Sequence, residues 1–286
     1  VTAVVTVRDA LAQAQARGLD RADAQRLLLH LLAPPQANRA WLITHDDHPL
    51  SPSVQALWQD ALTRRLDDVP VAYLTGTKPF HGLTLRVTDQ VLDPRPDTEV
   101  LVDWAWSLLV DLPGARVLDL GTGSGAVVLA LAAQAQAHFA ATDAPTFEAV
   151  DASPSALQVA QANGQALQLA VTWRLSHWFR EVQGQFDLLV SNPPYIAEGD
   201  PHLPALRHEP RQALVSGAEG LDDLRELIEQ APGHLKANGW LLLEHGHDQA
   251  SAVQALMRAR GFAQVQSRPD LAGIERCTGG QWPTVE

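Results

Sequence analysis

Cysteine is almost absent: Cys277 is alone among 286 residues. That excludes a disulfide framework inside the chain and fits a reducing compartment. Basic residues are scarce as well. Lys and Arg number 21 against 33 Asp and Glu, a formal net charge of −12. Tight binding to a nucleic-acid backbone needs clustered Lys and Arg, so stable nucleic-acid binding is not expected. No apolar run is long or unbroken enough to span a bilayer. Val1 to Ala10 lack the basic start and apolar stretch of a signal peptide. Repeats and low-complexity tracts are missing. The expectation is a soluble, cytoplasmic, monomeric protein with no membrane partner, able to bury one large core or two smaller ones.

Residues 1–68 read as a small helical domain. A helix over Val7 to Arg17 meets a break at Gly18-Leu19-Asp20, where Asp20 can cap a second helix running through Leu32. Leu27, Leu28, Leu31 and Leu32 share one face of it, and Pro34-Pro35 stops it. Ser51 is the expected N-cap of another helix, with Pro52 at its first position. Val54, Leu57, Trp58, Ala61 and Leu62 keep helical spacing there. A unit this short, with no chemistry of its own, is expected to dock a substrate. Residues 69–96 form a linker in which Phe80 to Val87 alternates and turns at Gly82, as a hairpin does.

Residues 97–286 begin with a helix, Val100 to Leu109, and then alternate. Strands are expected at Arg116 to Leu120, Phe147 to Asp151, Phe186 to Ser191 and Trp240 to His245. Helices are expected at Ala126 to Gln136, Ser155 to Ala166 and Asp222 to Ala231. This is the pattern of an α/β fold, a mostly parallel sheet covered by helices, with ligands at the carboxyl ends of the strands. His138 to Thr146 breaks the rhythm and reads as an insertion.

Two strand-end loops carry chemistry. Val117-Leu118-Asp119-Leu120 runs into Gly121-Thr122-Gly123-Ser124-Gly125 and then a helix. Such glycines permit a tight turn and bring backbone N–H groups close to a ligand. The next strand ends in Asp151, placed to accept both hydrogen bonds of a ribose diol. Gly121-x-Gly123-x-x-Ala126 also fits the dinucleotide fingerprint, so the loop alone leaves NAD, FAD and S-adenosylmethionine open. Asp119 and the tight third glycine lean toward the last.

The second loop, Asn192-Pro193-Pro194-Tyr195, follows the strand ending at Ser191. It is poorly made for packing and well made for gripping a planar NH2 group. The Asn192 side-chain carbonyl and the Pro193 backbone carbonyl can both accept from one amino group. Proline fixes φ and removes a competing donor, and the Tyr195 ring can cover the flat face. Hydride transfer has no use for such a grip. Methylation of an NH2 conjugated to a carbonyl or ring does, because two acceptors localise the nitrogen lone pair and aim it at a sulfonium methyl. Asn192, Pro193 and Tyr195 are thus the candidate catalytic groups, Pro194 completes the substrate grip, and S-adenosylmethionine is the cofactor.

Further motifs accompany these: Tyr73-Leu74-Thr75-Gly76, Pro94-Arg95-Pro96-Asp97-Thr98-Glu99, Val150-Asp151-Ala152-Ser153, Trp178-Phe179, Glu209-Pro210 with Ala213-Leu214, and Leu242-Leu243-Glu244-His245-Gly246. Between Pro70 and Ile274 the chain resembles the HemK/PrmC family of protein-(glutamine-N5) methyltransferases. The resemblance implies a Rossmann-like S-adenosylmethionine-dependent methyltransferase sheet behind a helical N-terminal domain. It implies, as substrate, the glutamine of a Gly-Gly-Gln tripeptide in peptide chain release factors. By position it implies that Gly121, Thr122, Gly123, Ser124 and Gly125 hold the amino-acid part of the cofactor, Asp151 the ribose, and Trp178 the adenine. Asn192 then touches cofactor and substrate, and Asn192 to Tyr195 hold the glutamine amide. His177 departs from the family's usual acidic residue, so the adenine amino group loses an acceptor there or is read by backbone.

Three other functions are weighed: methylation of a ribosomal-protein glutamine, DNA adenine-N6 methylation, and a non-catalytic ribosome-associated adaptor. Acidic charge and the lack of a basic target-recognition region count against DNA; two intact loops count against an adaptor. His245 and His247 lack a third ligand, so no metal is expected. Glu244 reads as an orienting group rather than a general base, and Cys277 as inert. Arg95 is open between a ligand contact and an ion pair anchoring the hairpin. Gly279-Gly280-Gln281 repeats the family's substrate tripeptide, as short motifs do by chance.

Overall fold

The structure is a computed structural model that describes residues 5–33 and 38–284. The expected helix stop at Pro34-Pro35 lies outside the described residues. The chain divides into two units: Val1–Thr77 with Ala205–His208, and Lys78–Pro204 with Glu209–Glu286.

The first unit is helical, with α1 (Val7–Ala16), α2 (Arg21–Leu32), α3 (Arg39–Thr44), α4 (Pro52–Leu66) and α5 (Val71–Thr75). Side chains set where these helices start. Thr6 and Asp9 form a reciprocal capping box on α1. Asp20 accepts from the N–H groups of Ala22 and Asp23, and Ser51 from that of Val54. Leu27, Leu28, Leu42, Trp58 and Leu62 fill the core. Leu31 and Leu32 pack against it only partly buried. Leu57 is 54% exposed, because it falls on the rim of the α4 stripe. Ala205–His208 joins this unit through ion pairs of Arg207 with Asp67 and Asp68 and of His208 with Asp67.

From Thr77, the last residue of the first unit's long segment, strands β1 (Thr77–Phe80) and β2 (Leu83–Arg86) form the hairpin. It turns on His81 and Gly82, with φ of 45° and 78°, the two positive angles a twisted two-residue turn demands. The chain continues α6 (Glu99–Leu109), β3 (Arg116–Leu120), α7 (Ala126–His138), β4 (Thr146–Asp151), α8 (Pro154–Leu167), β5 (Thr172–Leu175) and β6 (Phe186–Ser191). It ends with α9 (Asp222–Gln230), β7 (Leu235–Glu244), α10 (Ala250–Arg260), β8 (Ala263–Pro269) and β9 (Glu275–Gln281). The sheet order is β5-β4-β3-β6-β7-β9-β8. Neighbours from β5 to β7 are parallel, and β9 is antiparallel to both β7 and β8. This is the Rossmann-like α/β fold. β7 starts earlier than the expected Trp240 and ends at Glu244, before His245. His138 ends α7, and the residues after it are an ordered connection in which the Asp143 carbonyl accepts from the Gly114 N–H at 2.8 Å.

Alternate residues of β3 serve opposite faces. Val117 packs with α6 and α7; Leu118 and Leu120 pack with α9 and α10. β3 lies between β4 and β6, so the chain leaves it on one side and returns on the other. That reversal opens a crevice at the carboxyl ends of β3 and β6. The Ser191 hydroxyl donates to the Leu120 carbonyl at 2.6 Å and ties the two strand ends together. The glycine loop and Asn192 both start there.

Gly279-Gly280-Gln281 lies within β9. A Cβ on Gly279 would sit 2.4 Å from Leu242 and 2.7 Å from Trp104, so glycine is a packing requirement there. The Gln281 amide donates to the Asn238 carbonyl. No helix among the described residues is long and apolar enough to cross a membrane.

Candidate active site

A cavity of about 360 Å3 occupies the crevice. Gly121, Thr122, Gly123, Ser124, Asp151, Trp178, Asn192 and Pro194 lie on its wall; Gly125, Pro193 and Tyr195 are not among its lining residues. Gly125 serves packing instead: a Cβ there would come within 2.8 Å of Leu129, in the first turn of α7. Gly121 has a different neighbour, the Trp178 ring, 3.0 Å from where its Cβ would be.

Two carboxylates organise the glycine loop. Asp119 is buried and accepts from the Thr122 hydroxyl at 2.7 Å. Burial pushes its carboxyl up to about 7, against the pull of Thr122 and the Val128 backbone, with Asp151 adding to the rise. Asp151 accepts from the Gly123 N–H through Oδ2 and from the Ser153 N–H through Oδ1, each at 2.8 Å. Burial raises its carboxyl too, while those backbone donors favour the charged form. A carboxylate has about four acceptor sites, so Asp151 keeps capacity for a diol at the cavity wall.

Trp178 is held in a left-handed backbone conformation, φ 47°. Its indole N–H donates to Asp223 at 3.1 Å, which fixes the ring at the boundary between the cavity and the core under α9. Asp223 also lines the cavity. Sequence reasoning missed it, since it reads only as an acidic first turn of an amphipathic helix. His177 stands on the same wall, 3.8 Å from Glu226.

The Asn192 amide nitrogen donates to the Thr98 hydroxyl at 3.1 Å, whereas its Oδ1 is buried with no hydrogen-bond partner. The Tyr195 hydroxyl donates to Glu244 Oε1 at 3.2 Å. Glu244 ends β7 and is 1% exposed. Burial lifts its carboxyl to about 7; the Thr98 and Tyr195 hydroxyls hold it down. Burial, then Glu244, pushes the Tyr195 phenol up. The Gln249 amide donates to the Tyr195 carbonyl at 3.0 Å, and a Cβ on Gly220 would come within 2.2 Å of that same oxygen. The loop is therefore clamped from behind. Thr98 was legible only as part of a motif, without a role.

Arg95 is committed to ion pairs with Glu209 and Asp93, and Lys78 also pairs with Asp93. Glu209 in turn accepts from the Asp93 N–H. This network ties Pro94 to Pro210, two further residues of the cavity wall. His245 is engaged by the Gly246 carbonyl and the Thr278 hydroxyl. Cys277 is buried, and burial pushes its thiol up, away from the reactive thiolate.

An aromatic wall, a loop of backbone N–H groups, a carboxylate with free lone pairs and a buried acceptor without a partner suit S-adenosylmethionine. Comparison with known proteins agrees. The PrmC N-terminal domain family matches residues 2–76, and the methyltransferase small domain family matches residues 98–220. The release factor glutamine methyltransferase of Xylella fastidiosa (strain Temecula1) is 44% identical over 96% of this chain and 98% of that protein. The protein of that name from Bordetella pertussis is 44% identical over 92% of this chain and 95% of its own length. The solved T. thermophilus 16S rRNA N2 G1207 methyltransferase, in complex with AdoMet and guanosine, shares the fold with TM-score 0.54 and 17% identity, over 72% of this chain and 49% of that one. A shared fold explains the last likeness but not the first two, whose identity runs through both units. The chain belongs to the release factor glutamine methyltransferase family of S-adenosylmethionine-dependent enzymes.

Proposed function

We propose that this enzyme methylates the side-chain amide nitrogen of the glutamine in the Gly-Gly-Gln motif of peptide chain release factors, in the cytoplasm. The observation that carries the reading is the buried, partnerless Oδ1 of Asn192, at the switch point of the sheet and on the wall of the cavity. S-adenosylmethionine supplies an electrophilic methyl group there. Gly121 to Ser124 and Asp151 would hold it, with Trp178 on the same cavity wall. Asn192 Oδ1 and the Pro193 carbonyl each accept one hydrogen of the substrate NH2. That holds the amide in one plane and concentrates its lone pair on nitrogen. Pro194 and the Tyr195 ring complete the grip. The nitrogen becomes acidic only as it is alkylated, so a strong base is not required of the protein.

Residues 1–68 are proposed to dock the release factor. Remote contacts of this kind supply binding energy that positions the reacting group. Full-length release factor should therefore be methylated with higher kcat/KM than a short Gly-Gly-Gln peptide; equal values would refute docking.

The identity of the substrate is tested with methyl-labelled cofactor and release factor, ribosomal proteins and DNA side by side. Label should enter release-factor glutamine. Asn192→Ala should slow transfer by about 10²–10³-fold, the range for one preorganised polar contact at a reacting centre. Label in ribosomal protein alone, or wild-type turnover by the variant, would overturn the assignment.

A further inference from the structure

Near Trp178 the cavity wall offers few side chains able to read a flat base by hydrogen bonding. The Ser176 hydroxyl is already engaged: it donates to the Trp178 carbonyl at 2.8 Å and accepts from the Glu181 N–H at 3.0 Å. Asp119 and Asp151 serve the glycine loop. Asp223 is different. It belongs to the first turn of α9, not to a strand-end loop, yet it lines the cavity. Its Oδ1 accepts from the Trp178 indole N–H at 3.1 Å. No hydrogen bond or ion pair among the described residues engages its Oδ2.

Ring and carboxylate are both held in place. Gly121 meets the six-membered end of the Trp178 ring, 3.0 Å from where a Cβ would be, and Asp223 holds the indole nitrogen. The Asp223 N–H donates to Ser216 Oγ at 2.8 Å. The Ser216 N–H in turn donates to the Ile196 carbonyl at 3.0 Å, just after the amide-gripping loop. An acceptor bonded to an indole N–H lies at the rim of the ring, near its plane. A flat base laid against the Trp178 face brings an edge past that rim, and an edge bearing an NH2 group suits a free carboxylate oxygen. Adenine carries such a group at C6, on the far side from the ribose that Asp151 is proposed to hold. His177 on the same wall is exposed and faces Glu226 at 3.8 Å. The neighbouring Asp222 pairs with Arg225 and is not among the lining residues.

We propose that Asp223 selects the base of the cofactor: its Oδ1 orients Trp178, and its Oδ2 accepts from the exocyclic amino group of adenine. This rests on the proposed placement of the base at Trp178. A base with oxygen at C6 sets acceptor against acceptor there. Asparagine in place of Asp223 keeps an acceptor for the indole N–H and turns an NH2 group toward the base, which suits oxygen and opposes an amino group.

The test is calorimetric titration of the full chain with two ligands that undergo no methyl transfer: S-adenosylhomocysteine and S-inosylhomocysteine, its 6-oxo counterpart. The wild-type enzyme should bind the adenine form about 10- to 100-fold more tightly, the range for a hydrogen bond to a charged group. Asp223→Asn should erase or reverse that preference. It keeps the size of the side chain and the Trp178 contact, so a changed preference reads the base contact and not the fold. Asp223→Ala should erase the preference too, and should cost the adenine form more than the oxo form. His177→Ala should keep it. No preference in the wild-type enzyme, a preference intact in Asp223→Asn, or a preference lost in His177→Ala would each overturn the proposal. Trp178→Ala should weaken both ligands. Unchanged affinity for both would defeat the placement of the base at Trp178. Weakened binding by Trp178→Ala beside an intact preference in Asp223→Asn would defeat only the role of Asp223.

Discussion

Asp151→Ala removes one carboxylate with two separable functions. The first is to staple the loop, through the Gly123 and Ser153 N–H groups at 2.8 Å each. The second is the proposed grip on the cofactor ribose with the remaining lone pairs. Loss of hydrogen bonds to a charged group costs about 1.5–3 kcal/mol, which is about 10- to 150-fold in Kd. Calorimetric titration with S-adenosylmethionine reads this directly. Thermal unfolding separates the two functions. At a cofactor concentration of about 100 times the wild-type Kd, binding stabilises the folded enzyme by about 2.7 kcal/mol. If Kd rises about 30-fold, the same concentration stabilises the variant by only about 0.9 kcal/mol. The cofactor-free variant should also melt lower, because two loop anchors are gone. Because burial raises the Asp151 carboxyl, wild-type affinity should fall on acidification sooner than an ordinary aspartate would allow. Unchanged affinity together with a lower melting temperature would show that Asp151 is a loop staple alone and refute the ribose assignment.

Two stability predictions follow from other buried groups. Asp119 titrates at about 7 in the folded state against an ordinary 3.8, so the folded protein holds its proton more tightly than the unfolded chain. On its account, stability is fullest below the ordinary value and falls as pH climbs through about 7. Asp119→Asn keeps an acceptor for Thr122 and removes the buried charge. It should stabilise the protein by about 2–4 kcal/mol at mildly alkaline pH and far less in mild acid. Urea unfolding at the two pH values checks this, and an equal change at both would refute it. Gly279→Ala should destabilise by about 1–3 kcal/mol through overpacking against Trp104 and Leu242; an unchanged denaturation midpoint would show that β9 has room to spare.

Strands β3, β4 and β6 were legible because each is a short apolar run covered on both faces and followed by turn residues. β8 and β9 were not, for their sequences, Ala263 to Pro269 and Glu275 to Gln281, are polar or glycine-containing. What makes β9 a strand is tertiary: Trp104 of α6 and Leu242 of β7 lie over Gly279. α3 and α5 are too short to show a period. The same division runs through the site. Asp151 and Asn192 declare themselves as polar residues at the ends of apolar strands. Their partners do not. Thr98 is 94 positions from Asn192, Glu244 is 49 from Tyr195, and Asp223 is 45 from Trp178. Nothing local marks these pairs, because folding alone brings them together.

The two halves of the site are built from different materials, and they should fail differently. The glycine loop is proposed to meet its ligand mainly with backbone N–H groups, which do not titrate and which a single substitution rarely removes. The proposed reacting half depends on the directions of side-chain hydrogens: Asn192 donates toward Thr98 and Tyr195 toward Glu244. A weakly nucleophilic amide needs direction more than basicity, so the protein gains most by fixing those directions. The buried Glu244 carboxyl, lifted by burial to about 7, does so for the Tyr195 hydroxyl. Single side-chain substitutions should therefore impair the methyl-transfer step more readily than they impair cofactor binding through the loop's backbone N–H groups.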